Sequence, residues 1–464
     1  MNQFGKDLTV GSIPRHLLYF SLPMLFGNLL SSGYSIINTI WLGNTVGENA
    51  VGAAAVSFPI IFVLIGLASG ATMATTVLVS QFYGAKNYRM VEKTVNNSVA
   101  VALLLSLVLT VAAVLSSDLM LHWMDTPKEI FPLASSYLKI QLYGFIMMYL
   151  SFLIMSILRG IGDTMTPLTF LAVGVGINAV LDPLLIIGIG PFPKLGLNGA
   201  AYASLIAQFI ALALGLLYLN RKDHLVAISP RRLTLEKELT GQIFKIGFPA
   251  MVQQSLVSVG SAFVTTFVNS FGAAAIAAFG ATGRFESLAV MPPMAVGMAV
   301  TTLTGQNLGA GKPERVIEVF KWGLWMAAVI CALIAVIALT IPQLVMGMFI
   351  QDPKVVAIGV TYLRIVGMGY ILFAVIFVSN GVINGAGHTI STMLFSLVSL
   401  WVVRVPLAAY LYRTAMGITG IWVAMVVSFA AVACISYLYY RTGRWKKAAG
   451  KLGGTTPVPQ EILE

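Results

Sequence analysis

Apolar positions along the chain do not alternate with polar ones; they run in long blocks. Twelve blocks reach about 20 residues, the length that crosses a hydrocarbon core of roughly 30 Å. They lie near 17–43, 51–79, 95–116, 131–158, 165–189, 197–220, 243–269, 275–305, 318–343, 356–384, 391–413 and 416–440. Continuous runs of this length predict transmembrane helices and argue against a β-barrel, whose strands alternate over shorter stretches. Several blocks exceed the minimum, which implies tilt, and Pro23, Pro183, Pro249, Pro292, Pro293 and Pro406 inside them predict kinks.

Composition agrees with this reading. Of 464 residues 58% are hydrophobic and 10% charged, at a mean hydropathy of +0.88, against about 25% charged in an ordinary soluble domain. A water-soluble or disordered chain is excluded. The net charge of +11 raises nucleic acid as a partner until the bases are placed. With the N-terminus inside, 20 of the 28 Lys and Arg fall on the inner side, as positive-inside loops require. The expectation is a multi-pass protein of the cytoplasmic membrane with both termini cytoplasmic, embedded in the lipid bilayer, monomeric and without nucleic acid. The sixteen mostly polar residues before the first block carry no cleavage-site pattern.

The chain also repeats itself. Gln81-Phe82-Tyr83-Gly84-Ala85 matches Gln306-Asn307-Leu308-Gly309-Ala310, Leu158 to Thr164 matches Ile383 to Thr389, and Tyr137-Leu138-Lys139 matches Tyr362-Leu363-Arg364, each 225 residues apart. Asp182-Pro183-Leu184 pairs with Val405-Pro406-Leu407 at 223, and Leu22-Pro23 with Phe248-Pro249 at 226. Blocks in one order at nearly one spacing indicate duplication. We expect an all-α polytopic membrane protein with twelve transmembrane helices in two pseudo-symmetric six-helix lobes. The parts are an N-terminal lobe at 1–220, a cytoplasmic linker at 221–245, a C-terminal lobe at 246–440 and a cytoplasmic tail at 441–464. Six crossings per half make the repeats parallel, the arrangement that lets two lobes rock and expose a cavity to each side in turn.

Chemistry is sparse inside the spans. Fifteen of 17 acids fall in loops or tails; Asp182 and Glu286, one per half, do not. An ionisable group at bilayer depth is costly unless paired or hydrated, so each is a functional candidate. Asn178 lies one turn before Asp182. Tyr34 and Asn38 on the first span and Ser204 on the sixth share its depth of about 10 Å, from a rise of about 1.5 Å per residue. The spacing predicts a polar pocket that exchanges a proton or holds Na⁺, with Asp182 and Asn178 the one place offered to a metal ion. The alternative is that Asp182 braces the Pro183 kink and Asn178 satisfies freed backbone groups.

In the second lobe Arg284 and Glu286 lie on one span but point to different faces, so Glu286 is expected to pair with Arg404 on the eleventh. That pair is either an interhelical lock or part of a substrate site. Gln253 and Gln254 follow Pro249 as neutral donors and acceptors for a cavity. Met155 and Met291, with Met147, Met148, Phe152 and Met294, would give it a soft wall, although such residues ordinarily pack helices or face lipid.

No enzymatic signature is present: there is no Walker A pattern, no HExxH and no nucleophile elbow. Cys331 and Cys434 sit in apolar runs and the four His are scattered, so no catalytic residue, metal site or cofactor is assigned. Uphill transport would then draw on a transmembrane H⁺ or Na⁺ gradient.

The chain resembles the multidrug and toxic compound extrusion (MATE) family over nearly its whole length. The resemblance rests on Asn38-Thr39-Ile40-Trp41-Leu42-Gly43, Leu158 to Thr164, Asn178 to Pro183, Gly196-Leu197-Asn198-Gly199, Met291-Pro292, and Gly305 to Lys312. It implies two six-helix bundles in a V and an antiporter that exports cationic or amphipathic organic compounds in exchange for H⁺ or Na⁺ by alternating access. It also implies a coupling network built on an acid in the first span, the Asn and Asp of the fifth, and hydroxyls of the sixth; Asn178, Asp182 and Ser204 fit. The first span departs from the pattern, with Asn38-Thr39 where the family usually has Asp-Thr, and an amide does not titrate. A flippase or exporter of lipid-linked saccharides or other metabolites is the alternative, kept open by Arg284 and Arg404.

Overall fold

The computed structural model describes residues 5–220, 226–228 and 230–446. The start of the expected linker and most of the expected tail lie outside the described residues.

Each apolar block is helical. α1 runs over Ile13–Thr45, α2 over Glu48–Gly84 and α3 over Tyr88–Trp123; α4 is a bent pair, Phe131–Tyr143 and Phe145–Gly160. α5 spans Met165–Gly188, α6 Leu197–Leu219, α7 Lys237–Asn269, α8 Ala273–Gly309, α9 Pro313–Thr340, α10 Pro353–Gly385, α11 Thr389–Leu411 and α12 Ile418–Arg441. No strand occurs among the described residues. Ten of these helices are long and apolar enough to cross a membrane, and α4 taken as one span makes eleven. α1, with 33 residues, has the length. Its lower hydropathy comes from Asn28, Ser31, Ser32, Ser35, Asn38 and Thr39, two of which matter below.

The helices overrun the blocks that predicted them. α2 and α8 have 37 residues each, about 55 Å at 1.5 Å per residue. Residues 237–245, expected in the linker, are the first turns of α7.

Prolines act unevenly. Pro23, Pro249, Pro292 and Pro293 remain within continuous helices, while the 43° bend of α4 falls between Tyr143 and Phe145. At Pro183 and Pro406 the helix changes form. α5 widens into a π-helical stretch at Leu184–Gly188, directly after Asp182-Pro183, and α11 does so at Val398–Arg404, directly before Val405-Pro406. A proline lacks the N–H that closes the i to i−4 ladder, and a wider turn is one way to absorb the loss.

Contacts group the chain into two compact units. The first comprises Met1–Lys6, Pro23–Val79 and Tyr88–Met251; the second comprises Asp7–Leu22, Ser80–Asn87 and Val252–Glu464.

In the first unit the described linker is pinned to the start of α3. Asn97 Nδ2 donates to the Thr234 carbonyl at 3.1 Å, Lys93 pairs with Glu236 at 2.9 Å, and Arg232 pairs with Glu92.

In the second unit the end of α2 packs on the end of α8, and the packing explains one sequence repeat. A Cβ on Gly84 would lie 2.0 Å from the Gln306 carbonyl oxygen, and a Cβ on Gly309 would lie 1.9 Å from that of Gln81. Each copy of the motif therefore presents its glycine to the glutamine of the other, and only a residue without a side chain fits. Gln81 Nε2 donates to the Gly385 carbonyl at 2.8 Å, while Gln306 Oε1 accepts from the Leu8 N–H at 3.0 Å. Residues 7–11 are held as a strap by further bonds from Asn307, Lys312 and Arg315 to the carbonyls of Leu8, Thr9 and Gly11.

Candidate functional site

In the first unit, α1, α5 and α6 bring four of the five expected pocket residues into contact. Asp182 is 1% exposed. Its Oδ2 accepts from the Tyr34 hydroxyl at 2.8 Å and from Asn38 Nδ2 at 3.1 Å, and Asn38 Nδ2 also donates to Tyr34 Oη at 2.9 Å. Tyr34 and Asn38 share one face of α1, four residues apart, so a single helix supplies both donors. The Ser204 hydroxyl of α6 joins the network at Tyr34.

One carboxylate oxygen is thus fully engaged and the other is not. Asp182 Oδ1 is buried without a hydrogen-bond partner, and so is Asn178 Oδ1 one turn earlier on α5. A buried oxygen left unpaired is costly, and two such acceptors on one face form a small donor set for a proton or a hard cation. No group of three or more His, Cys, Asp or Glu suited to a metal occurs among the described residues. A bound cation there would be held by Asp182 together with neutral oxygens.

The second unit is built otherwise. Glu286 on α8 accepts from the hydroxyl of Tyr362 on α10. The expected ion pair with Arg404 is not formed. The two charges feel each other, but Arg404 Nε donates to Ser428 Oγ of α12 at 2.7 Å and its guanidinium stacks over the Phe429 ring at 4.9 Å. The reason lies in α11: Arg404 closes its π-helical stretch, and α12 offers a hydroxyl and a ring beside it. Tyr362 in turn packs edge-on against Trp422 at 4.7 Å.

The remaining candidates are scattered. Arg284 is exposed on α8. Gln253 does not stand free as a cavity donor: its Nε2 donates to Ser396 Oγ at 2.9 Å and its Oε1 accepts from Thr392 at 3.3 Å, which ties α7 to α11. Gln254, Met155 and Met291 are half-buried, and the Met155 carbonyl accepts from Arg159 at 3.2 Å.

Sequence reading missed Tyr362, Ser428 and Phe429. Only Tyr362 left a signal, since it opens the repeat block shared with Tyr137.

A sequence model of the MatE family matches the chain twice, over residues 23–184 and 249–410. The chain belongs to the MatE family. The two matches coincide with the halves that the internal repeat outlines. Among relatives of this MATE transporter, the probable multidrug resistance protein YpnP of Bacillus subtilis is 35% identical over 440 residues, 95% of this chain and 97% of that protein. The multidrug export protein MepA of Staphylococcus aureus is 25% identical over 91% of this chain and 93% of its own length. Among solved structures, an outward-facing multidrug resistance MATE family transporter superposes with a TM-score of 0.88 at 22% identity, covering 98% of this chain and 99% of that one. A transporter of the same superfamily from Pyrococcus furiosus gives the same score and identity over 97% and 99%. At that identity the likeness carries the fold: an all-α polytopic membrane protein.

Proposed function

We propose that this MATE transporter is a secondary active antiporter that exports cationic or amphipathic organic compounds across the cytoplasmic membrane, driven by entry of H⁺ or Na⁺ at Asp182. The observation that carries this reading is the carboxylate of Asp182, buried at membrane depth, with one oxygen held by Tyr34 and Asn38 and the other unpartnered. A group that is structural only would have both oxygens satisfied, whereas a group that takes up and releases a cation needs one free.

Asn38 fits as a fixed donor. It holds the carboxylate whether or not a cation is bound, so the binding charge is left to Asp182. Tyr34 and Ser204 complete a chain of hydroxyls that can turn from donor to acceptor as the carboxylate is neutralised. The names of YpnP and MepA, both multidrug proteins, support organic compounds as cargo. Occupancy at Asp182 does mechanical work only by favouring one conformation over the other, and Asp182 sits beside the π-helical stretch of α5, a place where the backbone has two ways to pair.

The test is counter-flow of a fluorescent organic cation in proteoliposomes with H⁺ and Na⁺ gradients imposed separately. The unaltered chain should respond to one of them and Asp182→Asn to neither; undiminished gradient-driven transport by Asp182→Asn would sink the assignment.

A further inference from the structure

Between Ile276 and Leu288 the exposed residues of α8 are Ile276, Gly280, Arg284, Ser287 and Leu288, spaced three and four apart in a single stripe. Beyond Leu288 no residue of α8 is exposed as far as Gly309. A helix face that met lipid throughout would stay exposed along its length, so this stripe opens into a recess that closes part-way down. Arg284 lies roughly 17 Å along the helix from Ala273, by a rise of about 1.5 Å per residue, and only apolar and small residues precede it on that helix. An arginine at such depth faces water or a counter-charge. It has no hydrogen bond or ion pair among the described residues, and Glu286, two positions on, is turned to Tyr362.

The duplicated half shows that the fold itself does not call for this charge. At the 225-residue spacing the stripe corresponds to Val51, Ala55, Pro59, Phe62 and Val63 on α2, all apolar, with Phe62 stacked on Phe58 at 5.7 Å. Pro59 stands where α8 has Arg284. Arg364, the other exposed arginine in an outer stretch of the second unit, differs in setting, since its face on α10 continues through exposed Met368 and Ile371.

We propose that Arg284 is a specificity residue of the transport site that receives a carboxylate of the cargo, so that the exported class includes amphipathic organic cations that also bear a carboxylate. This rests on the efflux reading above. A guanidinium presents two parallel N–H groups that match the two oxygens of a carboxylate, and the contact strengthens in a recess that excludes bulk water. Cargo with its own anionic group would supply the counter-charge that the chain leaves out.

A matched pair of dyes tests it: rhodamine 110, with a free carboxylate, and rhodamine 123, its methyl ester. Binding of each to the full-length chain in phosphatidylcholine nanodiscs is measured by fluorescence anisotropy at neutral pH. Arg284→Gln should lower the affinity for rhodamine 110 relative to rhodamine 123 by about tenfold, the weight of one charge-assisted hydrogen bond. Arg284→Lys should recover part of the ratio, and Arg364→Gln should keep it. An unchanged ratio in Arg284→Gln, or an equal fall in Arg364→Gln, overturns the carboxylate assignment. So does loss of the ratio when phosphatidylglycerol is added to the nanodiscs, because Arg284 would then hold a lipid headgroup. Failure of the unaltered chain to bind either dye overturns the efflux reading itself, which separates the two failures.

Discussion

The two units are copies of one design with opposite chemistry at equivalent places. In the first, Asp182 precedes the proline and π-helical stretch of α5; in the second, Arg404 stands directly before Val405-Pro406 at the π-helical stretch of α11. An acid and a base thus occupy nearly the same backbone position. Their surroundings differ as well. Tyr34 and Asn38 of α1 correspond, at the 226-residue spacing, to Gly260 and Val264 of α7, and the space that Gly260 leaves is taken by the side chain of Leu400. Duplication has kept what shapes the backbone, the prolines and the close-packed glycines, while the polar side chains have gone separate ways. A repeat in a membrane protein is therefore a guide to where helices bend, and not to where ions bind.

Exchanging the charge-bearing groups breaks or sharpens this contrast most directly. Asp182→Asn is expected to reduce gradient-driven transport to the leak of empty liposomes, whereas Glu286→Gln, whose amide can still accept from Tyr362, should keep a response to the gradient. Equal loss in the two would erase the distinction between the units. Tyr34→Phe removes one charge-assisted hydrogen bond from Asp182 and should weaken affinity for the coupling ion by about tenfold or more, read as a shift in the ion concentration that half-saturates transport. The corresponding change in the second unit, Tyr362→Phe, should leave that concentration where it is.

Next in size is a change to what the copies share. Gly84→Ala and Gly309→Ala each drive a methyl group into backbone at 2.0 and 1.9 Å, and each should cost about 1–3 kcal/mol by overpacking, seen as a lower melting temperature in nanodiscs. Unequal losses would show that the motif copies no longer bear on each other symmetrically.

The smallest effect concerns the strap of the second unit. Burial works to raise the Asp7 carboxyl, but hydrogen bonds from the Thr9 side chain and backbone and the charges of Lys86 and Lys312 hold it below its ordinary value. A carboxyl lowered in the folded state stabilises above its unfolded pKa of about 3.9, and that contribution is lost as pH falls through the lower folded value. Asp7→Asn should therefore flatten the fall in melting temperature below about pH 4 and change little at neutral pH.

The fold was legible in the sequence because lipid imposes a single rule on every span. Backbone groups must be satisfied within the helix, so a long apolar block can be little else, and twelve blocks announced α1 to α12. The repeat was legible because glycine and proline act through the backbone and leave fixed marks. Asp182 was legible as an acid where acids are costly. Its contact with Tyr34 and Asn38 could be expected only from shared depth, and the free oxygen that gives the site its meaning is visible only once α1, α5 and α6 are packed. Glu286 shows the limit. Sequence offered Arg404 as its partner because opposite charges attract, but tertiary structure gave it Tyr362 and turned Arg404 to Ser428 and Phe429. Charge sign can be read along a chain, whereas the direction of a side chain depends on helix rotation and on which neighbour stands in front of it, and packing alone fixes those.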